Sequence, residues 1–446
     1  MKEHERFESV VRERAVLVRV MTPEGSAVED PLDELRGLAT TAGTVIVGQL
    51  LQRRAVPDCK TYLGQGKVAE LKQLVESLDV DVVILDNDLN PAQTRNLEKE
   101  LQVKVIDRTE LILDIFASNA RTHEARLAVE LAQLEYSLPR LKRLWTHLSR
   151  IKAGVGMRGP GEKQLEVDRR LVEKRITDLR GELRAIEARR ERQVAGRDEQ
   201  MTVSLVGYTN AGKSTLMNAL TEAGVLVADK LFATLDTRTR RWQLPNWGPV
   251  LLSDTVGFIR DLPHRLIASF KATLEESRQA DLLLHVADAS NPAVCDQIGA
   301  VYKVLQEIGI QEKDTLLVLN KMDQLPSPSH GNAVLNRYPG AIPISAKRQL
   351  GFDALAYRVS DALSRTFRDV DVETGVENGR LMAYLAAHGE ILSRRFDERR
   401  VILHCRIPQK YLGRIAEAGT VVRPRDGAAV PAPVDVAAAA TMEEVA

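Results

Sequence analysis

The chain has 446 residues, 44% hydrophobic and 28% charged, a composition that excludes a disordered chain and suits about three globular domains. Its 62 basic residues match its 62 acidic ones, so net charge indicates no partner and any basic surface must be local. Three cysteines far apart in the chain argue against a disulfide framework or a zinc site. The charged start "MKEHERFESVVRER" lacks the apolar core of a signal peptide and no apolar run could span a membrane, so we expect a cytoplasmic protein.

Residues 1–108 alternate between strand-like and helix-like segments, which predicts a small N-terminal α/β domain. The strand patterns are "RAVLVRV", "TVIVGQLLQ", "DVVILD" and "VKVIDR", with helical patterns between them. The loop "YLGQGK" opens one helix with Gly64 and Gly66, and its amides could approach a phosphate. On so short a motif we favour the simpler interpretation, a glycine turn that leads into a helix.

Residues 109–199 change to a helical period and predict an antiparallel helical hairpin. Apolar residues recur at alternating four- and three-residue steps in two segments. Between the segments, "AGVGMRGPGEKQ" contains four glycines and a proline, which a continuous helix cannot accommodate. Pro139 should kink the first arm or remove one of its hydrogen bonds. The predicted coiled-coil seam consists of Leu127, Leu131, Leu134, Leu138, Leu141, Trp145 and Leu148 in the first arm and Val172, Ile176, Leu179, Leu183 and Ile186 in the second.

The tip of this hairpin is basic, although the chain as a whole is neutral. Residues 140–163 include seven Lys or Arg and one acid, Glu162. Such a surface suits a phosphate backbone, and the long glycine-rich loop makes a merely solvated helix end the less favoured alternative. We therefore expect RNA contact at the tip, through Arg158 and Lys163.

Residues 200–367 predict a second α/β domain with a mostly parallel sheet. Its buried-strand patterns are "TVSLVG", "PVLLSDT", "DLLLHVADA", "DTLLVLNK" and "AIPISA". The first strand leads into "GYTNAGKS", which fits the G-x-x-x-x-G-K-[ST] phosphate loop and opens a helix. In this motif backbone amides surround the phosphates, Lys213 brings positive charge to the β and γ positions, and the Ser214 hydroxyl can ligate Mg²⁺.

Three further motifs follow in the order that a guanine-nucleotide site requires. In "DTVG" the Asp254 carboxylate would hold a metal-bound water and the Gly257 amide would sense the γ-phosphate. In "NKMD" the Asp323 carboxylate would accept two hydrogen bonds from guanine, a pair of donors that adenine lacks. Lys321 would cover the base, and the Ala346 amide of "SAK" would face guanine O6. Each motif alone would be weak, but their order makes a GTP site the favoured interpretation.

The segment "LFATLDTRTR" is predicted to be the mobile loop that closes on Mg²⁺ and the γ-phosphate through a threonine. We favour Thr234, although spacing alone does not separate it from Thr237 and Thr239. After "DTVG" comes Phe258, where Ras-type GTPases commonly carry a glutamine that orients the attacking water. We expect that the free protein positions this water badly and that a partner completes the site; Arg260 is a less favoured internal catalyst.

Residues 368–425 predict a small C-terminal α+β domain. The pattern indicates a helical segment "GRLMAYLAAHGEILSRRF", a strand "RRVILHCRIP" and a short helix "KYLGRIAEAG". The alanine-rich residues 426–446 predict a disordered tail.

Over nearly its full length the chain resembles the HflX family of ribosome-associated GTPases, in the Obg-HflX group. The resemblance rests on "GQGK", "RTHEARLAVELAQLEY", "GVGMRGPGEKQLEVDRR", "GYTNAGKSTLMNAL", "FATLDT", "DTVGFIRDLP", "NKMD" and "SAK". It implies that residues 207–214 hold the phosphates, that Ser214 and Thr234 hold Mg²⁺, and that "FATLD" and residues 254–257 are the two switches. It also implies binding to the large ribosomal subunit and, in some members, splitting of stalled or idle ribosomes after stress.

We therefore predict a Mg²⁺-dependent GTPase that docks on the large subunit through its hairpin, as a monomer, without binding DNA and with no indicated membrane association. The alternatives are an ATP-dependent RNA-remodelling or ribosome-assembly factor that uses the N-terminal domain, and an interaction protein whose GTPase regulates a partner bound to the hairpin. Lys213, Thr234 and Gly257 are predicted to act on the γ-phosphate. The predicted nucleotide-binding residues are Gly207, Tyr208, Thr209, Asn210, Ala211, Gly212, Lys213, Ser214, Thr215, Phe232, Ala233, Thr234, Leu235, Asp236, Asp254, Thr255, Val256, Gly257, Asn320, Lys321, Asp323, Ser345, Ala346 and Lys347.

Overall fold

The computed structural model places the chain in two units, and each is described by itself. The first unit consists of Met1–Gln243 with Pro249–Phe352, and the second of Leu244–Gly248 with Asp353–Ala446. The residues that the structure describes are 10–23, 30–144, 160–195, 200–221, 231–232, 237–245, 248–260, 277–307, 309–310, 315–365, 367–397, 400–412, 415 and 420–425.

The N-terminal domain is a four-stranded parallel sheet with strand order β2-β1-β3-β4, as the alternating pattern predicted. Apolar side chains of β1 alternate between two cores, with Ala15 and Leu17 in one and Val16 and Val18 in the other, so helices cover both faces. The strands are β1 (Arg14–Met21), β2 (Val45–Arg53), β3 (Val82–Leu85) and β4 (Lys104–Asp107), and the helices are α1 (Asp33–Ala42), α2 (Gln65–Leu78) and α3 (Pro91–Leu101).

A fourth helix, α4 (Arg108–Asn119), extends this domain beyond the predicted boundary at residue 108. The Asp107 side chain caps α4 by accepting from the Glu110 amide at 2.9 Å. Apolar residues of α4, including Leu111 and Ile112, share the core of α1. Residues 108–119 therefore pack as part of the α/β domain, and the hairpin begins after them.

The hairpin consists of α5 (His123–Leu144) and α6 (Pro160–Ala195). Its arms pack through the predicted seam: Leu127, Leu131, Ile176 and Leu179 are buried, and Leu134, Leu138, Val172, Leu183 and Ile186 pack against them. Ion pairs join Arg175 to Glu130 at 2.8 Å and Arg180 to Glu135 at 2.7 Å across the arms. Helix α5 continues through Pro139. Trp145, Leu148 and the tip residues 151–159, with Arg158, lie outside the described residues, and so do the side chains of Leu141 and Lys163.

The second α/β domain is a six-stranded sheet with strand order β10-β9-β8-β5-β7-β6, in which β7, β5, β8, β9 and β10 pair in parallel. Parallel strands present their carboxyl ends at one edge, and the phosphate loop and the later motifs follow those ends. The strands are β5 (Thr202–Gly207), β6 (Arg238–Leu244), β7 (Gly248–Asp254), β8 (Leu282–Asp288), β9 (Thr315–Asn320) and β10 (Ile342–Pro343), and the helices are α7 (Lys213–Thr221), α8 (Val294–Glu307) and α9 (Pro328–Arg337).

The second unit contains helix α10 (Phe352–Ser364), followed by an antiparallel sheet with strand order β12-β13-β11-β14. Val370, Val372, Leu403 and Cys405 of this sheet share a core with Leu385. The elements are β11 (Phe367–Gly375), α11 (Gly379–His388), β12 (Glu390–Asp397), β13 (Arg400–Pro408), α12 (Gln409–Leu412) and β14 (Val421–Pro424). The α+β class is thus confirmed, and the structure adds three strands, β11, β12 and β14, that the sequence pattern did not predict.

The predicted continuous helix over residues 379–396 is wrong. The chain leaves the helix at Gly389, whose backbone is extended, and residues 390–397 pair with β13 as a strand. A Cβ at Gly389 would lie 2.8 Å from the Arg406 carbonyl oxygen, so the close approach of the two strands requires glycine there. Within the described part of the chain, no helix is both long and apolar enough to cross a membrane.

Candidate guanine-nucleotide site

The phosphate loop joins β5 to α7 through two glycines that no other residue could replace without displacing the backbone. Gly207 and Gly212 have φ values of +147° and +91°, in the region that favours glycine. A Cβ on Gly207 would collide with the Val286 carbonyl oxygen, and one on Gly212 would collide with the Asn320 amide group. The loop therefore lies directly against β8 and the NKMD motif, as a phosphate cradle between two strands requires.

Lys213 is buried beneath this loop and is already oriented by it. Its Nζ donates to the carbonyl oxygens of Gly207 at 3.0 Å and Tyr208 at 2.9 Å. An ammonium group has three protons, so this arrangement leaves one for a phosphate oxygen. Burial lowers the pKa of Lys213 to about 8, although the nearby Asp254 carboxylate opposes the shift.

Two oxygen-bearing side chains meet at the start of α7. The Ser214 hydroxyl donates to Asp254 Oδ2 at 2.6 Å, and the Asp254 side chain is almost fully buried. A hydroxyl beside a carboxylate at the end of a strand is the donor set that Mg²⁺ prefers. The neighbouring Thr255 hydroxyl donates instead to the Leu205 carbonyl at 2.8 Å and so stabilises the β5–β7 pair. Ser214 and Asp254 thus fit a magnesium ion.

The guanine-reading motifs are joined to the phosphate loop by Asn320. Its Nδ2 donates to the Ala211 carbonyl at 2.8 Å, and its Oδ1 accepts from the Ala346 amide at 2.9 Å. The Ser345 hydroxyl donates to Asp323 Oδ1 at 2.6 Å and lowers the pKa of that carboxyl group. Asp323 is therefore held ionised, as an acceptor for guanine must be. The Ala346 amide, expected to face guanine O6, donates to Asn320 in this structure.

Asp288, at the end of β8, was not predicted to belong to the site. Its Oδ2 lies 2.7 Å from Lys321 Nζ, while its Oδ1 accepts from the Ser290 amide at 2.9 Å. Lys321 has φ +63°, so the backbone turns sharply at this residue and its side chain is directed by the ion pair. The sequence feature that could have identified Asp288 is its position, since it ends a strand at the same sheet edge as Asp254 and Asn320.

The segment that follows "DTVG" pairs with the phosphate loop. The Phe258 amide donates to the Gly207 carbonyl at 3.0 Å, and the Thr209 amide donates to the Phe258 carbonyl at 2.7 Å. A Cβ on Gly257 would lie 2.8 Å from the Thr209 methyl carbon and 3.1 Å from Lys213 Nζ, so Gly257 touches the loop directly. The Phe258 side chain is 2% exposed and belongs to the apolar core shared with the N-terminal domain.

The same segment continues into a charged network on the N-terminal domain. The Arg260 amide donates to the Tyr208 hydroxyl at 2.7 Å, and that hydroxyl donates to Glu34 Oε1 at 2.5 Å. Arg108 donates to Glu34 at 2.8 Å, to Asp86 at 2.6 Å and to the Arg260 carbonyl at 3.1 Å. Burial lowers the pKa of Arg108, but the two carboxylates outweigh it and raise the pKa overall. The Arg260 guanidinium lies 3.5 Å from the carboxylates of Glu34 and Asp86, so its side chain pairs with the N-terminal domain.

The segment predicted to be the first switch begins against the N-terminal domain. The Phe232 ring packs edge-on against Phe116 with centroids 4.7 Å apart, and its carbonyl accepts from Asn119 at 3.0 Å. Phe232 was predicted to contact the nucleotide, but the structure buries it in this apolar contact. The remaining predicted residues of the segment, Ala233, Thr234, Leu235 and Asp236, lie outside the described residues.

The glycine loop of the N-terminal domain forms a turn that leads into α2. The Gly64 amide donates to Gln52 Oε1 at 3.0 Å, and a Cβ on Gly64 would lie 2.5 Å from the Arg54 guanidinium. The side chain of Gln52 in β2 thus occupies the amide, and that of Arg54, just after β2, occupies the space beside it. The glycine turn is the interpretation that these contacts favour.

The fold and the four motifs define a P-loop GTPase. Comparison with known families agrees, since the chain matches the models "GTP-binding GTPase N-terminal" over residues 29–117, "GTP-binding GTPase Middle Region" over 119–197 and "50S ribosome-binding GTPase" over 202–321.

Two curated relatives named GTPase HflX are similar over most of their length. The protein from Magnetococcus marinus is 46% identical over 90% of this chain and 94% of its own, and that from Escherichia coli is 47% identical over 83% and 87%. A GTP-binding protein from Sulfolobus solfataricus, solved with GDP, is 24% identical over 78% of this chain and 98% of its own, with a TM-score of 0.42. The chain belongs to the HflX family of GTPases.

Proposed function

We propose that this protein is a GTP-driven switch that binds the large ribosomal subunit and separates or rescues ribosomes under stress, acting as a monomer. The HflX relatives are named GTPases, and the matched family model is described as a ribosome-binding GTPase. The structure adds a means of coupling, because one short segment contacts both the phosphate loop and another domain.

That segment, residues 257–260, is the observation that carries the proposal. At one end Gly257 and Phe258 contact the phosphate loop, and at the other Arg260 is bonded to Tyr208 and Arg108. A γ-phosphate held by Lys213 needs space beside Gly257, where an added Cβ would lie only 3.1 Å from Lys213 Nζ. Binding of GTP therefore displaces the segment and changes its contacts with the N-terminal domain, whereas GDP does not.

Magnesium would be held by Ser214 together with Thr234, with Asp254 beside them. When bound, the ion neutralises charge that develops between the β- and γ-phosphates. Lys213 contributes a positive charge to the same phosphates, the loop amides orient them, and Asp323 selects guanine. The guanine arrangement and the occupied Gly64 turn favour this function over ATP-dependent remodelling by the N-terminal domain.

Contact with ribosomal RNA is proposed at the hairpin tip, through Arg158 and Lys163. The support is the local excess of basic residues in a neutral chain and the firm attachment of the first arm. Arg140 donates to the buried Asp107 carboxylate at 2.9 Å, and the Tyr136 hydroxyl donates to it at 2.7 Å. The hairpin is therefore joined to the domain that contacts the switch.

The proposal is tested by centrifugation of the full chain with purified ribosomes and ribosomal subunits through sucrose gradients. With GTP or a non-hydrolysable analogue, we expect the protein to sediment with the large subunit and free subunits to accumulate. With GDP both effects should be much weaker. Equal binding with GDP, GTP analogue and no nucleotide would refute a nucleotide-driven switch, and binding without subunit separation would refute the splitting role alone.

A further inference from the structure

Among the residues that the structure describes at this site, neither Phe258 nor Arg260 presents a side chain that could hold the attacking water. Phe258 replaces the usual glutamine and its ring is buried in an apolar core. Arg260 is the other candidate in the same segment, but its guanidinium forms ion pairs with Glu34 and Asp86 of the N-terminal domain. Phosphoryl transfer depends mainly on positioning and charge, so some group must still orient the water for useful turnover.

Thr209, the third residue of the phosphate loop, has the properties that this role requires. Its side chain is 7% exposed, and within the part of the chain that the structure describes its hydroxyl has no hydrogen-bond partner. An unpaired buried hydroxyl destabilises the protein, so a partner is expected in the working state. The backbone amide of Thr209 is already used by the Phe258 carbonyl, which leaves the side chain as the group without a role.

The direction of the side chain follows from its neighbours. The Thr209 methyl carbon lies against Gly257, 2.8 Å from where a Cβ would stand. The hydroxyl occupies a different staggered position on the same carbon, so it is not the atom that meets Gly257. Thr209 also lines a cavity of about 570 Å³ between the phosphate loop and the N-terminal domain, whose Glu34 and Thr41 line it too, and this cavity is large enough to admit water. Thr209 thus touches Gly257, the predicted γ-phosphate sensor, and borders a cavity that water can enter.

We propose that the Thr209 hydroxyl holds the attacking water, so that Thr209 is a catalytic residue that stands in for the missing glutamine. A hydroxyl can accept a hydrogen bond from the water and donate one to a γ-phosphoryl oxygen at the same time. In the reaction the water oxygen forms a bond to γ-phosphorus, the bond from γ-phosphorus to the β–γ bridging oxygen breaks, and the water proton is transferred to the released phosphate. Thr209 is unchanged by the step. This inference rests on the proposed GTPase function.

The test compares full-length wild type with Thr209→Val, which replaces the hydroxyl by a methyl of similar size, and Thr209→Ser, which keeps it. Thr44→Val is the matched control, because Thr44 is a buried threonine of the N-terminal domain whose hydroxyl donates to the Ala39 carbonyl at 2.9 Å. Three measurements are made: affinity for fluorescent GDP, single-turnover hydrolysis of bound GTP, and formation of the GDP–aluminium fluoride complex, which mimics the transition state.

For Thr209→Val we expect GDP affinity within about threefold of wild type, a rate of hydrolysis lower by about 10- to 100-fold, and loss of the aluminium fluoride complex. Thr209→Ser should keep most of the hydrolysis rate and should still form the aluminium fluoride complex. Thr44→Val should change only the melting temperature. If valine prevents folding, Thr209→Ala makes the same comparison because it only removes atoms.

An unchanged rate in Thr209→Val, or a loss of GDP affinity as large as the loss of rate, would overturn the inference. Full rescue of Thr209→Val by large ribosomal subunits would also overturn it, since the ribosome would then supply the positioning itself. These outcomes differ from failure of the proposed function, in which wild type would neither hydrolyse GTP nor respond to ribosomal subunits.

Discussion

Raising the pH from about 7 to about 9 should weaken nucleotide binding, because the buried Lys213 loses its proton over this range. Burial lowers the pKa of Lys213 to about 8 in the nucleotide-free protein. The phosphates of a bound nucleotide bring negative charge beside Nζ and keep it protonated. Binding is therefore coupled to uptake of a proton above pH 8, and the dissociation constant should rise by about tenfold between pH 7 and pH 9.

The effect on stability has the opposite sign. A lowered lysine pKa penalises the folded, nucleotide-free protein while the lysine is protonated, so the full penalty is present below pH 8. It is relieved as the pH rises from 8 toward the ordinary lysine pKa of 10.5. The nearby His285, whose pKa burial lowers to about 3, stays neutral throughout and does not contribute.

The assay is titration of fluorescent GDP with the full chain at several values across this pH range, at constant ionic strength and magnesium. Lys213→Arg is the control, because a guanidinium does not lose its proton and its weaker binding should be independent of pH. A dissociation constant that stays flat for wild type would contradict the pKa argument. An equal pH slope in Lys213→Arg would show that another group titrates.

Three predictions concern other residues of the site and the tip, and one concerns the hairpin base. Asp323→Asn should weaken GTP binding by about 10- to 100-fold and improve xanthosine triphosphate binding, measured by competition; unchanged GTP affinity would contradict the role in base reading. Asp288→Asn should weaken GDP binding by about three- to tenfold and add nothing in a Lys321→Met background, whereas additive losses would refute the ion pair's role. Deletion of residues 154–161 should leave nucleotide affinity within a few-fold but remove most large-subunit binding in sedimentation, and full binding would exclude the tip. Tyr136→Phe should keep basal GTP turnover and reduce its stimulation by large subunits, whereas parallel losses of both rates would indicate only a folding defect.

The nucleotide site could be predicted largely because its chemistry constrains local sequence. Gly207 and Gly212 must be glycine where the backbone meets β8 and Asn320, and Lys213 and Ser214 must follow at fixed spacing. The N-terminal strands were predictable for a similar reason, since short apolar runs between helical patterns have few other solutions. In both cases the information lies within a few consecutive residues.

The features that the sequence did not predict depend on contacts between distant segments, and a local sequence pattern does not contain such contacts. The helical period of residues 379–388 continues into 390–396, and only the approach of Arg406 shows why the chain extends at Gly389. Asp288 is paired with Lys321, and the Phe232 ring packs against Phe116. Each of these outcomes is decided by a partner that lies far away in sequence.

The adjacency of Asp107 and Arg108 connects the hairpin base, where Tyr136 lies, to residues 257–260. Arg108 contacts the switch through the Arg260 carbonyl, whereas its neighbour Asp107 holds the hairpin through Tyr136 and Arg140. Burial raises the pKa of Asp107 and Arg140 opposes that shift, so the carboxylate depends on these partners to stay ionised. A displacement of residues 257–260 would therefore change the contacts of Arg108. Its neighbour Asp107 holds the hairpin, which is the proposed ribosome-binding arm. Since Tyr136 touches no nucleotide motif, the loss of its hydrogen bond, about 1.5–3 kcal/mol, should weaken the coupling while the hydrolysis site stays intact.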